Sequence, residues 1–147
     1  MTPAERTQKW RDENPEKARQ TRRNYSQSPA GRAGSRRKYA TTKGRAGSLM
    51  RCARVRANKK GLPFDLTTSW IKAKIDAGVC EATGLPLDLH PSEGRKNPFS
   101  PSVDRIIPAL GYTQANCRVV IECSNSARGE WGDSILKQLM VALDGKL

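Results

Sequence analysis

Apolar positions are thinly and unevenly spread along this chain, and their spacing changes character near residue 60. Over residues 1–24 only Trp10 and a few alanines interrupt the charged side chains. That pattern predicts a polar helix, breaking at Pro15, that needs a partner to persist. Residues 49–60, LMRCARVRANKK, read as a basic helix with Leu49, Cys52, Ala53 and Arg56 on one side. From Gly61 the apolar density rises. Thr67 or Thr68 can cap a helix carrying Trp70, Ile71 and Ile75 toward a core, stopped at Gly78. Turn-rich residues follow Cys80, then a polar loop over 90–101 and a short strand over 102–107. Gly111-Tyr112 marks a turn, and Arg118–Glu122 (RVVIE) is the clearest strand signal. A short helix is expected over 125–129. Asp133 is expected to cap a last amphipathic helix with Ile135, Leu136, Leu139, Met140 and Leu143, ended by Gly145. The pattern predicts an α+β fold: a small strand–strand–helix module flanked by helices (residues 61–147), preceded by a basic arm, helical or flexible (residues 1–60).

Charge sharpens that division. The formal net charge is +13 and the mean hydropathy −0.71. Residues 1–60 hold 18 Lys and Arg against 4 Asp and Glu, whereas residues 61–147 hold 9 against 10. A cationic arm on a nearly neutral domain suits a polyanion, because each neutralised phosphate releases condensed counterions. Candidate phosphate contacts are Arg22, Arg23, Arg32, Arg36, Arg37, Lys38, Arg45, Arg51, Arg54, Arg56, Lys59 and Lys60. Within the arm, Gly31-Arg32-Ala33-Gly34-Ser35 recurs thirteen residues later as Gly44-Arg45-Ala46-Gly47-Ser48. The echo reads equally as a close-approach device for a duplex or as a flexible linker. No apolar run approaches the ~20 residues of a membrane span, and the N-terminus carries no apolar signal core. Four cysteines without scaffold spacing point to a reduced compartment, so the expected location is cytoplasmic.

The segments Cys80-Glu81-Ala82-Thr83-Gly84-Leu85-Pro86, Ser102-Val103-Asp104-Arg105-Ile106, Gly111-Tyr112, Asn116 and Asn125 stand in a fixed order. With the preceding KKGLPFDLTTSW stretch, they resemble the HNH (ββα-metal) nuclease motif, and especially a group of phage and prophage HNH-like proteins. The resemblance covers roughly residues 55–131 and is specific through order and spacing together.

That resemblance implies a metal-dependent endonuclease cutting DNA phosphodiesters, acting in the host cytoplasm if phage-encoded. Asp104 and Asn125 would hold one divalent ion, Mg²⁺ or Mn²⁺, through oxygen donors. Asn116 would tie down the inter-strand loop and help orient the group acting on water, and Arg128 would contact a phosphate. Arg105 stands where the family places a general-base histidine, and a guanidinium cannot take a proton from water. Three readings remain open: Arg105 clamps the phosphate, His90 swings in as base, or catalysis has been lost. Where the family braces its fold with two Cys-x-x-Cys knuckles, this chain has Cys80 with Thr83 and Ile121 with Ser124, so a structural zinc is not expected. Cys80, Cys117 and Cys123 are expected to pack as small apolar residues, and Trp131 to enter the core. The rival functions are a catalytically inactive DNA-binding protein on the same scaffold and a basic RNA-binding protein.

Overall fold

The computed structural model describes residues 1–90 and 96–146; of the loop expected over 90–101, residues 91–95 lie outside that range. The chain divides into two compact units, residues 1–37 and 38–147. The first is a string of short helices. In α1 (Pro3–Glu13), Thr2 Oγ1 accepts from the Glu5 amide at 3.2 Å while the Glu5 carboxylate accepts from the Thr2 amide at 2.6 Å, closing a capping box. The break falls at Asn14, and Pro15 opens α2 (Pro15–Gln27). Proline is tolerated at a first helical position and not inside a helix. Pro29 likewise opens α3 (Pro29–Tyr39). Neither α1 nor α2 buries a residue.

The glycine–arginine echo is a repeated helix junction, neither a linker nor a free strip of backbone. Ser28 Oγ donates to the Tyr25 carbonyl at 2.7 Å and accepts from the Gly31 amide at 3.1 Å. Thirteen residues on, Thr41 Oγ1 donates to the Lys38 carbonyl at 2.8 Å and accepts from the Gly44 amide at 3.1 Å. One hydroxyl thus terminates one helix and starts the next. The glycines are required by close approach, since a Cβ on Gly31 or Gly44 would lie 2.0 Å from the Tyr25 or Lys38 carbonyl oxygen respectively.

In the second unit, α4 (Thr42–Lys60) begins seven residues before the expected Leu49 and belongs to the core. Its buried stripe is Ala46, Ala53 and Ala57, with Leu49 and Met50 partly covered; Cys52 and Arg56 are exposed. The division expected between residues 60 and 61 therefore moves to Arg37, because the small alanines let α4 pack closely on α5 (Thr68–Asp76). Thr67 caps α5 by accepting from the Trp70 amide, and Ile71 and Ile75 enter the core as expected, while Trp70 is half-buried beneath Lys74.

The strands form one antiparallel hairpin, β1 (Pro101–Arg105) with β2 (Cys117–Ile121), in a register that sets Asp104 opposite Arg118 and Val103 opposite Val119. The Cys80 segment braces β2. The Glu81 amide donates to the Val119 carbonyl at 3.0 Å, and Cys80 Sγ accepts from the Ile121 amide at 3.4 Å. Tyr112, at the Gly-Tyr turn, donates to the Pro63 carbonyl at 2.8 Å and accepts from the Asp65 amide at 3.1 Å, docking the entry segment on the hairpin loop. α6 (Glu122–Arg128) starts directly after β2, three residues earlier than expected, and packs on both strands. The fold is α+β, with a two-stranded sheet among helices.

Two apolar expectations fail. Trp131 is 76% exposed, and α7 (Gly132–Leu143) buries no residue, its Ile135, Leu139 and Met140 all facing solvent. Trp131 lies in the turn between α6 and α7, and the start of α7 is joined to the hairpin by the Asp133 carboxylate on Arg118, not by an apolar face. Cys80 and Cys117 are buried as expected, but Cys123 is exposed. Among the described residues no helix is long and apolar enough to cross a membrane.

Candidate active site

The hairpin and α6 position Asp104 at the centre of a closed ring of charges. Cross-strand pairing brings Arg118 alongside it, and Arg118 Nε donates to Asp104 Oδ2 at 2.8 Å. From the last turn of α6, Arg128 Nη1 donates to Asp104 Oδ1 at 2.8 Å. Both arginines then meet Asp133 at the start of α7. Arg118 Nη2 and Arg128 Nε each donate to Asp133 Oδ1 at 2.6 Å. Asp133 is therefore not the helix cap the sequence suggested; its side chain closes the ring. Asp104 and Arg128 are almost wholly buried, while Asp133 is half exposed. Burial opposes the charge on Arg118, but hydrogen bonds and charge from Asp133 and Asp104 outweigh it and raise its pKa. The same hydrogen bonds, from Arg118 first and Arg128 next, hold the Asp133 carboxyl below its usual range.

Arg128 is not free to contact a phosphate. Its remaining donors hold the Arg105 carbonyl at 2.9 Å and the Ile106 carbonyl at 2.6 Å, so it fastens the end of β1 to α6. Arg45 is likewise corrected from a phosphate contact to a structural tie: Nη2 donates to the Pro101 carbonyl at 2.6 Å and Nε to the same oxygen at 3.2 Å, pinning β1 to α4. Burial lowers its pKa. The other nominated cations, Arg22, Arg23, Arg32, Arg36, Arg37, Lys38, Arg51, Arg54, Arg56, Lys59 and Lys60, are exposed, with Arg54 lying over the Phe64 ring.

Beside the ring lies a cavity of about 140 Å³ with polar walls. Asp104, Arg105 and Asn125 line it together with Arg56, Arg128 and Glu130. Asn125 Nδ2 donates to Ser102 Oγ at 2.8 Å and to the Val103 carbonyl at 3.4 Å. That fixes the amide so that, among the described residues, nothing donates to its Oδ1. Arg105 is held at the rim, with Nη1 on the Pro108 carbonyl at 2.6 Å and its guanidinium 4.8 Å from the Tyr112 ring centre.

Two nominated residues stay away from the cavity. Asn116 ties the loop as expected, accepting from the Ile107 amide and donating to the Ile107 and Gly111 carbonyls at 2.9 and 2.8 Å. Both of its N–H donors and one Oδ1 lone pair are engaged on the backbone, so it shapes the loop. His90 is fully exposed, with Nδ1 2.6 Å from Asp88 Oδ1, and it does not line the cavity. Sequence reasoning missed Arg118, Asp133 and Glu130. An alternation argument applied to β2 would have found Arg118, the one charged residue in CRVVI; nothing local pointed to the other two. Among the described residues no group of three or more His, Cys, Asp or Glu side chains is placed to hold a metal.

No protein-family profile matches the chain, and neither a curated protein nor a solved structure matches it.

Proposed function

We propose that the protein is a divalent-metal-dependent DNA endonuclease whose site is the cavity between β1 and α6. One observation carries the reading. Asp104 of β1 and Asn125 of α6, whose Oδ1 accepts from no donor among the described residues, line a small polar cavity with Arg56 and Arg105, two arginines outside the charge ring. The donor set fits Mg²⁺ or Mn²⁺. Each Asp104 oxygen accepts one guanidinium and keeps a second lone pair, and Asn125 Oδ1 completes an all-oxygen pair. When bound there, a divalent ion supplies Lewis-acid polarisation of the scissile phosphate. Arg105 and Arg56 draw the phosphodiester into the cavity and offset its charge. Tyr112 keeps the Arg105 guanidinium in place. Glu130, the other carboxylate on the wall, takes the proton from the attacking water in place of the absent histidine. The exposed cations of α2, α3 and α4 hold the DNA through its backbone.

The test is supercoiled plasmid incubated with wild type, Asn125→Ala and Glu130→Gln in Mg²⁺, in Mn²⁺ and in EDTA. Wild type is expected to nick only with metal. Both variants should lose at least about tenfold while shifting DNA as wild type does. A second reading, a DNA-binding protein without catalysis, is favoured by the two guanidiniums already on Asp104, which oppose a further cation. It prevails if wild type shifts plasmid but nicks it in neither metal.

A further inference from the structure

The groove between α1 and α2 is a concave surface that combines charge with aromatic rings. It encloses about 570 Å³, within the range of ~300–1,000 Å³ that takes ligands of nucleotide size. Trp10 and Tyr25 stand on its walls with Arg11, Arg19 and Arg22. Although α1 and α2 carry Glu5, Asp12, Glu13 and Glu16, no acidic side chain lines it. Trp10 is 45% and Tyr25 63% exposed, in two helices that bury nothing. A tryptophan whose whole task was to hold two helices together would be covered by them; this one leaves nearly half its surface beside three guanidiniums. Among the described residues Arg19 pairs only with exposed Glu16, a contact weak enough to exchange for a phosphate.

We propose that this groove binds single-stranded nucleic acid, with a base stacked on Trp10 and Tyr25 and the adjacent phosphates held by Arg11, Arg19 and Arg22. The ring–guanidinium combination selects the strand type. In a duplex the base faces are covered by their neighbours, so the aromatic walls gain nothing; an unpaired base offers a free π-face of any sequence. The groove lies within residues 1–37 and shares no residue with the Asp104 cavity, so it goes beyond the endonuclease reading and can fail or stand without it.

The experiment is fluorescence anisotropy on the full chain in EDTA, with labelled oligo(dT) and oligo(U) of about 15 nucleotides and a duplex of equal length. Trp10→Ala is expected to weaken single-strand binding about tenfold and duplex binding less than about twofold, with Trp10→Phe retaining most of the affinity. A double variant, Arg19→Gln with Arg22→Gln, keeps the ring and should flatten the salt dependence of single-strand binding by about 1.4 in log–log slope. The proposal is overturned if Trp10→Ala leaves oligo(dT) and oligo(U) affinity unchanged, or weakens strand and duplex alike with helicity intact. Should Trp10→Ala lose helicity, the double variant decides, and wild-type single-strand affinity with an unchanged slope refutes the site. Whichever oligomer binds more tightly identifies the natural strand as DNA or RNA.

Discussion

Replacing Gly44 by alanine adds one methyl group to the third position of α4. In most exposed helices the change would help, by about 0.5–1 kcal/mol. Here the new Cβ would sit 2.0 Å from the Lys38 carbonyl oxygen and 2.9 Å from both the Lys38 carbonyl carbon and Thr41 Oγ1. To reach even 3.0 Å the ends of α3 and α4 must part by about an ångström, and both groups are backbone or tethered to it. That movement breaks the 2.8 Å bond from Thr41 to Lys38, a capping contact of about 1 kcal/mol, and strains a junction where overpacking costs about 1–3 kcal/mol. Offset by the helix gain, the net loss is about 1–3 kcal/mol. Gly47 on the same helix is the control. A Cβ there meets nothing within 4 Å, because the position faces an open groove lined by Lys38, Lys43 and Arg51. Gly47→Ala should therefore stabilise by about 0.5–1 kcal/mol.

Thermal unfolding followed by near-ultraviolet circular dichroism reports Tyr112 and Trp70 in their packed surroundings. At about 4 °C per kcal/mol for a unit of this size, Gly44→Ala should lower Tm by about 4–12 °C and Gly47→Ala raise it by about 2–4 °C. The opposite signs within one helix are the diagnostic. If both variants move the same way, the close junction between α3 and α4 is not what the repeated glycine serves.

Three further outcomes are expected. Burial pushes the Cys117 thiol up to about 12; burial also opposes a Cys80 thiolate, but hydrogen bonds from Thr83 and the Ile121 amide outweigh it and lower its pKa, so Cys80 is protected by its enclosure alone. A disulfide reagent at pH 8 should titrate Cys52 and Cys123 quickly and the other two only on unfolding; four fast thiols would contradict the packing. Deleting residues 1–37 should leave a cooperatively melting protein with weaker, less salt-dependent DNA binding. Deleting residues 1–48 removes Arg45 and Ala46 and should abolish cooperative unfolding; equal melting of the two truncations would restore the boundary at residue 60. Because Asp133 titrates below the usual carboxylate range in the fold, its contribution is complete above about pH 4 and is lost as pH falls toward its lowered value. The urea midpoint should drop below pH 4, and Asp133→Asn should flatten that drop; an unchanged slope would remove Asp133 from the ring.

Local patterns made the hairpin readable. CRVVI carries enough β-branched residues to announce β2, and Asn116 sits where a side chain can bond the backbone across the loop that precedes it. The errors have a common physical source. Alanines among arginines look like a solvated basic helix, yet Ala46, Ala53 and Ala57 are buried because small side chains allow close helix approach. Arg45 and Arg128 read in the sequence as cations for a phosphate; an arginine's five donors can equally fasten backbone carbonyls, and only tertiary distance reveals which. Asp104 and Asp133 lie 29 residues apart, and their joint capture by Arg118 and Arg128 leaves no trace in spacing. Trp131 follows the opposite logic: aromatic content suggested a core residue, but the turn after α6 directs it to solvent.

The ring also decides what the cavity prefers. Two aspartates and two arginines cancel, so the balance falls to the walls outside the ring, Arg56 and Arg105 against Glu130. That balance is positive by one charge, and a lone divalent cation about 4 Å from it meets a net repulsion of about 8 kcal/mol at an effective dielectric constant of about 20. A phosphodiester brings one negative charge to the same walls and cancels that positive balance. On the endonuclease reading, phosphate and cation must therefore bind cooperatively, the phosphate first. On that same reading, the arithmetic makes an arginine at position 105 compatible with catalysis. It cannot accept a proton, but without it Arg56 and Glu130 would leave the walls neutral, so a lone cation would meet no net repulsion and a phosphate no net attraction.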